Sequence, residues 1–174
     1  MNLDLMMKAK KIKCVAFDVD GVMTDGSLTF LEDGRETKTF NAKDGLGVTM
    51  LNQTGFKTAI ITARDNGTVR IRAKILEITK LYEGQKQKIL AFADLLKEFN
   101  LDPSEVAYMG DDWPDIHVLK EAGLSACPSD AIPEVIEMCD FVSTKGGGKG
   151  AVREFCNFIL KAHGIQFEDL TKSV

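Results

Sequence analysis

Asp18 and Asp20 stand two residues apart in the stretch Phe17-Asp18-Val19-Asp20-Gly21, and that spacing puts both carboxylates on one side of an extended chain. Two like charges this close repel, and either a raised pKa or a bound cation relieves them. A hard dication such as Mg²⁺, which takes carboxylate and carbonyl oxygens, suits the pair. The competing reading is a strand-end turn whose two aspartates satisfy local backbone amides. Three weaker signals follow along the chain. Thr62 closes the apolar run Ile60-Ile61-Thr62, either as a β-branched strand residue or as a hydroxyl able to bond a phosphoryl oxygen. Lys88 stands near the start of a helical stretch, where the helix dipole disfavours a cation, and beside Lys86 a solvated lysine is the plainer reading. Gly110-Asp111-Asp112 with Asp115 reads as a loop and helix cap, or as the source of a further metal carboxylate with Asp115 bracing the site from behind. One phosphate and metal site accounts for all four signals together.

Such groups need strand ends to carry them. The run Ile12, Cys14, Val15, Ala16 suits a strand buried on both faces, and Gly21 and Gly26 let the chain turn beyond it. Further strands are predicted over residues 57–62, 78–82, 106–109 and 141–142. Helices are predicted over 44–53, 67–76, 85–99, from Pro114 to a stop at Gly123, over 131–138 and over 151–162. Asn66 is placed to cap the second of these, and Ile89, Phe92, Ala93, Leu96 and Phe99 give the third a clear apolar stripe. Alternating strands and helices call for an α/β fold, a doubly wound (Rossmann-like) parallel sheet covered on both faces, with ligands beyond the carboxyl ends of its strands. Residues 27–40 centre on Asp33-Gly34. That predicts a β-hairpin after the first strand, with Glu32 opposite Arg35 and Thr29 opposite Lys38. Leu28, Phe30, Leu31 and Phe40 then need a surface, the parent domain or a second subunit, because a lone ribbon is marginal in water.

The chain has 174 residues, 26 acidic against 22 basic, for a net charge of −4. This length gives one well-buried domain, over 1–174, and the acidic balance disfavours nucleic acid and anionic membrane as partners. No apolar run approaches membrane-spanning length, and the first residues carry no signal-peptide core, so a cytoplasmic address is expected. Cys14, Cys127, Cys139 and Cys156 form no CxxC pair and read as reduced buried thiols.

Taken together, Asp18-Val19-Asp20-Gly21, Ile60-Ile61-Thr62, Lys88, and Gly110-Asp111-Asp112 with Asp115 make the chain resemble the haloacid dehalogenase superfamily of phosphotransferases, over nearly its whole length. Within it the chain looks most similar to the small capless branch of 3-deoxy-D-manno-octulosonate 8-phosphate phosphatases. The marks of that branch are residues 17–26, Asn41-Ala42-Lys43-Asp44-Gly45, Tyr82-Glu83-Gly84-Gln85, and the segment from Gly147 to Glu154. Departures are Ala63 within Thr62-Ala63-Arg64, where glycine is common, and Trp113-Pro114 after the acidic pair.

The resemblance implies that Asp18 is a nucleophile forming an aspartyl-phosphate and that Asp20 serves as general acid, then base. It implies Mg²⁺ on Asp18, the Asp20 carbonyl and Asp111, with Asp112 and Asp115 behind, and phosphoryl oxygens on Thr62 and Lys88. It also implies a small acidic sugar phosphate as substrate and a homotetramer in which a neighbouring subunit helps close each site. Arg64 is a candidate basic partner for the substrate's carboxylate or phosphate. Arg72 and Lys74 read as exposed helix charges. The glycine-rich segment from Gly146 to Lys149, with Gly148, reads either as a flexible linker or, by the resemblance, as a part that approaches an active site together with the tail to residue 174. The runner-up within the class is a phosphatase for a nine-carbon sialic-type sugar phosphate. Outside it stands a receiver-like signalling module, which carries its acceptor aspartate on a later strand.

Overall fold

The computed structural model describes residues 3–166. Its frame is a parallel sheet of six strands: β1 (Cys14–Phe17), β4 (Lys57–Ile61), β5 (Lys80–Tyr82), β6 (Val106–Met109), β7 (Leu124–Cys127) and β8 (Phe141–Val142). The spatial order is β5-β4-β1-β6-β7-β8. This is the doubly wound arrangement, with the chain reversing direction of travel across the sheet on either side of β1. All four residues of β1 are buried, as a strand covered on both faces requires. Alternation along it sorts the core into two. Val15 and Phe17 join the layer beneath helices α1 (Leu3–Ala9), α2 (Ala42–Gln53), α3 (Gly67–Ile75) and α7 (Ala151–Ala162). Cys14 and Ala16 join the layer beneath α4 (Lys88–Phe99), α5 (Ile116–Glu121) and α6 (Pro133–Met138). Among the described residues no long insertion stands over the carboxyl ends of the strands.

The hairpin forms from β2 (Thr29–Phe30) and β3 (Glu36–Thr37), as a separate two-stranded sheet. Its register differs from the expected one: Thr29 faces Thr37 and Phe30 faces Glu36. The type I′ turn behind the expectation needs positive φ at both central residues. Only Gly34, at φ 84°, has it. Gly34 N–H instead donates to Leu31 O, and Leu31 N–H to Arg35 O, so the loop has three residues and ends in a left-handed glycine. Asp33 Oδ1 accepts from Arg35 N–H and holds the turn. Phe40 packs on the core, whereas Leu28, Phe30 and Leu31 remain exposed.

Two elements lay outside the sequence expectation. Helix α1 is only seven residues long, too short for an amphipathic period to stand out. Strand β7 reads Leu-Ser-Ala-Cys, small residues without β preference, and exists because Ala107, Tyr108 and Met109 offer it a buried edge. Ser125 there is satisfied by Asp140 Oδ2, which accepts from both its N–H and its hydroxyl. Helix boundaries also move. Helix α2 begins at Ala42 because Asn41 Oδ1 accepts from the N–H groups of Lys43 and Asp44. Helix α4 begins at Lys88, since Gln85 N–H is drawn to Thr62 O.

Candidate active site

Strands β1, β4 and β6 are neighbours, and the residues that follow them meet at their carboxyl ends. Asp18 continues the β1 ladder, its N–H donating to Met109 O at 2.9 Å. Beyond it the chain folds into a tight loop in which Val19 O accepts from the N–H groups of Val22, Met23 and Thr24. Gly21 makes that loop possible. It sits at φ 83°, and a Cβ there would lie 2.0 Å from Asp111 Oδ2. The two acidic segments therefore approach one another only across a glycine.

Asp18 Oδ1 accepts from Val19 N–H at 2.6 Å, and its Oδ2 lies 2.8 Å from Lys88 Nζ. Lys88 also reaches Asp115 Oδ1 at 2.7 Å and is 3% exposed. The solvated lysine expected from its neighbour Lys86 is thus corrected: two carboxylates offset both burial and the unfavourable helix dipole. Burial alone would lower the Lys88 pKa, but Asp18 and Asp115 outweigh it and hold the ammonium above its ordinary range.

Asp115 is fully buried and spends both oxygens. Oδ1 accepts from Lys88 and from the Tyr108 hydroxyl at 2.6 Å; Oδ2 accepts from the N–H groups of Asp111 and Asp112. Gly110 leaves room for it, since a Cβ there would meet the Asp115 carboxyl at 2.5 Å. Asp112 is exposed, and its Oδ1 accepts from Trp113 N–H to cap a short 3₁₀ turn over Trp113–Asp115. Pro114 lies inside that turn, ahead of α5.

Carboxylates of Asp18, Asp111 and Asp115 offer oxygens within 4.8 Å of one another. Asp111 Oδ1 is buried with no hydrogen-bond partner. Burial first, then the charges of Asp18 and Asp115, push the Asp111 pKa up to about 8, and burial with the Asp115 charge raises that of Asp18. A cation between Asp18 and Asp111 would satisfy the orphaned oxygen and relieve the repulsion, so the donor set fits a hard divalent ion. Asp115, already saturated, is better suited to bracing. The Asp20 side chain stands outside this group and faces Lys38 and Arg64, so any part it plays toward a cation falls to its main-chain oxygen.

Thr62 is buried beside these groups. Its Oγ1 accepts from Arg64 N–H at 3.3 Å and its main-chain oxygen from Gln85 N–H. Asp18, Asp20, Thr62, Arg64, Lys88, Asp111, Asp112 and Asp115 line one cavity of about 310 Å³. A larger cavity of about 460 Å³, at the opposite ends of the strands near Ile12 and Phe56, holds no comparable group of acids and bases.

Gly148 and Lys149 do not line the acidic cavity. Gly148 N–H donates to Val22 O and its carbonyl accepts from Asn41 Nδ2. A Cβ on Gly147 would sit 1.8 Å from Gly21 O. The segment is packed on the back of the Asp20 loop, which corrects the flexible-linker reading. The tail beyond residue 166 lies outside the described residues. Arg72, expected to be exposed, is half-buried, bonded to Asn41 O at 3.2 Å and stacked over Phe40; Lys74 is exposed as expected. Tyr108, Lys38 and Glu36 were missed. A tyrosine inside a buried strand must find a partner for its hydroxyl, and that was the available signal for Tyr108. No local pattern marked the other two.

Residues 50–155 match the family model described as haloacid dehalogenase-like hydrolase. The 3-deoxy-D-manno-octulosonate 8-phosphate phosphatase KdsC of Escherichia coli is 42% identical over 164 residues, 94% of this chain and 87% of that protein. The crystal structure of a probable yrbi family phosphatase from Pseudomonas syringae superposes with a TM-score of 0.95 at 44% identity, covering 99% of this chain and 97% of that one. A 3-deoxy-D-manno-octulosonate 8-phosphate phosphatase from Moraxella catarrhalis, solved with magnesium, phosphate and KDO, gives 0.93 at 40% identity over 98% of this chain and 97% of that one. With its acidic strand ends, its buried lysine and these likenesses, the chain belongs to the haloacid dehalogenase-like hydrolases, in the family of the 3-deoxy-D-manno-octulosonate 8-phosphate phosphatases.

Proposed function

We propose that this chain is a magnesium-dependent phosphatase that hydrolyses 3-deoxy-D-manno-octulosonate 8-phosphate to the free sugar acid and phosphate, a step toward the inner core of lipopolysaccharide. The observation that carries the chemistry is the buried pairing of Asp18 with Lys88 beside the unpartnered oxygen of Asp111. The substrate rests on the relatives, which bear this name at 42% identity over 94% of the chain.

In this reading Asp18, nine-tenths buried and aimed into the cavity, attacks phosphorus and forms an aspartyl-phosphate. Asp20 gives a proton to the departing alkoxide and then takes one from the water that cleaves the intermediate. Thr62 and Lys88 hold phosphoryl oxygens, and Arg64 at the cavity mouth faces the sugar's carboxylate. Asp18, Asp111 and the main-chain oxygen of Asp20 would hold the Mg²⁺, whose charge makes it possible for an anionic nucleophile to meet an anionic ester. Asp115 keeps Lys88 and the Asp111 segment in place, and Asp112 fixes the turn between them.

The open cavity needs a cover that the described chain does not supply for itself. A homotetramer answers this, with the exposed apolar hairpin as the contact and with Gly148 and Lys149 approaching a neighbour's site. The chain is one domain, and no described helix is long and apolar enough to cross a membrane, which supports a cytoplasmic address.

Phosphate release from the octulosonate 8-phosphate, a sialic-type 9-phosphate and hexose phosphates, each with and without Mg²⁺, tests this. Metal-dependent preference for the octulosonate is expected, abolished in Asp18→Asn. Full activity after thorough chelation, or in Asp18→Asn, overturns the mechanism; even activity across the panel overturns the substrate.

A further inference from the structure

Lys38 is a buried lysine that the proposed chemistry leaves unexplained. It lies one residue past β3, on the face of the ribbon that Glu36 shares, and its side chain is 1% exposed. Lysine is almost never buried to this degree without partners. Here the ammonium pairs with Asp20 Oδ1 and lies 2.6 Å from Glu36 Oε1. Glu36 Oε2 in turn lies 2.8 Å from Arg64 Nη1, and Arg64 Nε lies 3.6 Å from Asp20 Oδ2. The four side chains close a ring of alternating charge. It joins the hairpin to the loop after β1 and to the loop after β4. Lys38 first, then Arg64, holds the Glu36 carboxyl below its ordinary range.

We infer that Lys38 is a positioning residue for Asp20 and that the hairpin contributes to catalysis through it. This deepens the phosphatase reading and rests on it. A carboxyl group on a rotatable side chain delivers a proton to a leaving oxygen only from one orientation. Asp20 stands in the loop after β1, directly before Gly21, and its side chain is turned away from Asp18, Asp111 and Asp115, so its own segment does not fix that orientation. Lys38 does, from one residue past β3, on a hairpin that lines none of the cavity. Because Lys38 is tied to Glu36 as well, it stays in place as Asp20 gains and loses its proton. Arg64 shares the same two carboxylates but is half exposed, which leaves it free to exchange Glu36 for a carboxylate on the substrate.

The test separates positioning of the acid from general damage by the choice of ester. A sugar alkoxide needs a proton to depart, whereas p-nitrophenolate does not. Lys38→Met is expected to lower kcat/KM for the octulosonate 8-phosphate by about 10²-fold, the span of general acid catalysis, while p-nitrophenyl phosphate changes by no more than about threefold. Lys38→Arg should recover most of the loss on the sugar ester. Glu36→Gln, which frees the other end of Lys38, should show a smaller loss with the same preference between esters, and it carries the test if Lys38→Met fails to fold. Equal losses on both esters, or no loss on either, overturn the inference. If the wild-type chain ignores the octulosonate but cleaves another alkyl phosphate, the substrate assignment fails and the same comparison is made with that ester. A wild-type chain silent on every ester overturns the phosphatase reading and this inference with it.

Discussion

Asp18, Asp111 and Asp115 crowd three carboxylates at the ends of two adjacent strands, with the ammonium of Lys88 between two of them. One positive charge against three negative leaves Asp111 with an unbonded oxygen and a pKa pushed up to about 8. The consequence for stability follows from its sign. A carboxyl whose folded pKa lies above its unfolded value binds more protons in the folded state. In the metal-free chain the contribution of Asp111 is therefore complete below the ordinary value of 3.8 and is lost as pH rises through about 8. A metal ion reverses this, because it takes the place of the proton. We expect the Tm in chelator to fall between about pH 6 and pH 8.5, and the rise in Tm on adding Mg²⁺ to be larger at the higher pH. Calorimetry at the two pH values checks it; a gain independent of pH would show that Asp111 does not take up the ion.

At the scale of elements, the site loop is held by helices that never touch the cavity. The N-terminus of α7 has Gly150 as its cap, with no side chain of its own to offer. Asp44, near the start of α2, supplies the acceptors: Oδ2 for Gly150 N–H at 3.2 Å and Oδ1 for Arg153 N–H at 2.8 Å. A buried carboxylate on a helix N-terminus is favoured by the dipole as well as by the two bonds. The same helix start carries the glycine-rich segment that packs on the Gly21 carbonyl, so the cap fixes the back of the loop that carries Asp20. Asp44→Ala leaves two half-buried N–H groups of the helix start without their acceptors, at a cost of about 1 kcal/mol, the low end for unpaired groups. For a domain of this size each kcal/mol lowers Tm by about 2–4 °C. A melt of Asp44→Ala unchanged from wild type would remove Asp44 from this role.

For the whole molecule, the exposed hairpin is the feature on which the proposed assembly rests. Phe30 is 60% exposed, and Leu28 and Leu31 are nearly half exposed on the same ribbon. A two-stranded ribbon of this size gains little from its own pairing, and apolar residues gathered at its end favour burial against another copy. Light scattering at micromolar concentration is expected to give the mass of an assembly, four chains in the reading above. Phe30→Glu should shift it toward the single chain and lower kcat/KM, because the open cavity then loses its cover. A wild-type chain of single mass with full activity would refute the tetramer.

Much of this molecule was legible before folding. Buried apolar strands alternating with helical stripes dictated a parallel α/β sheet, and the Asp18, Thr62 and Asp111 strand ends marked where chemistry would gather, because both patterns are local and periodic. The surroundings of those residues were not local. Lys88 is a buried partner of Asp18 and not a solvated charge because its helix packs against β4, the neighbour of β1, and against α5. Tyr108 and Asp115 meet only when β6 and the turn after it are in place. Strand β7 forms from residues of no β preference because an open sheet edge receives them. Asp44 caps a helix that begins more than 100 residues later in the chain, and Lys38 reaches Asp20 from another sheet. Periodicity says which face of an element is buried, but which polar groups share a low-dielectric site depends on how distant segments pack, and the tertiary structure alone decided that.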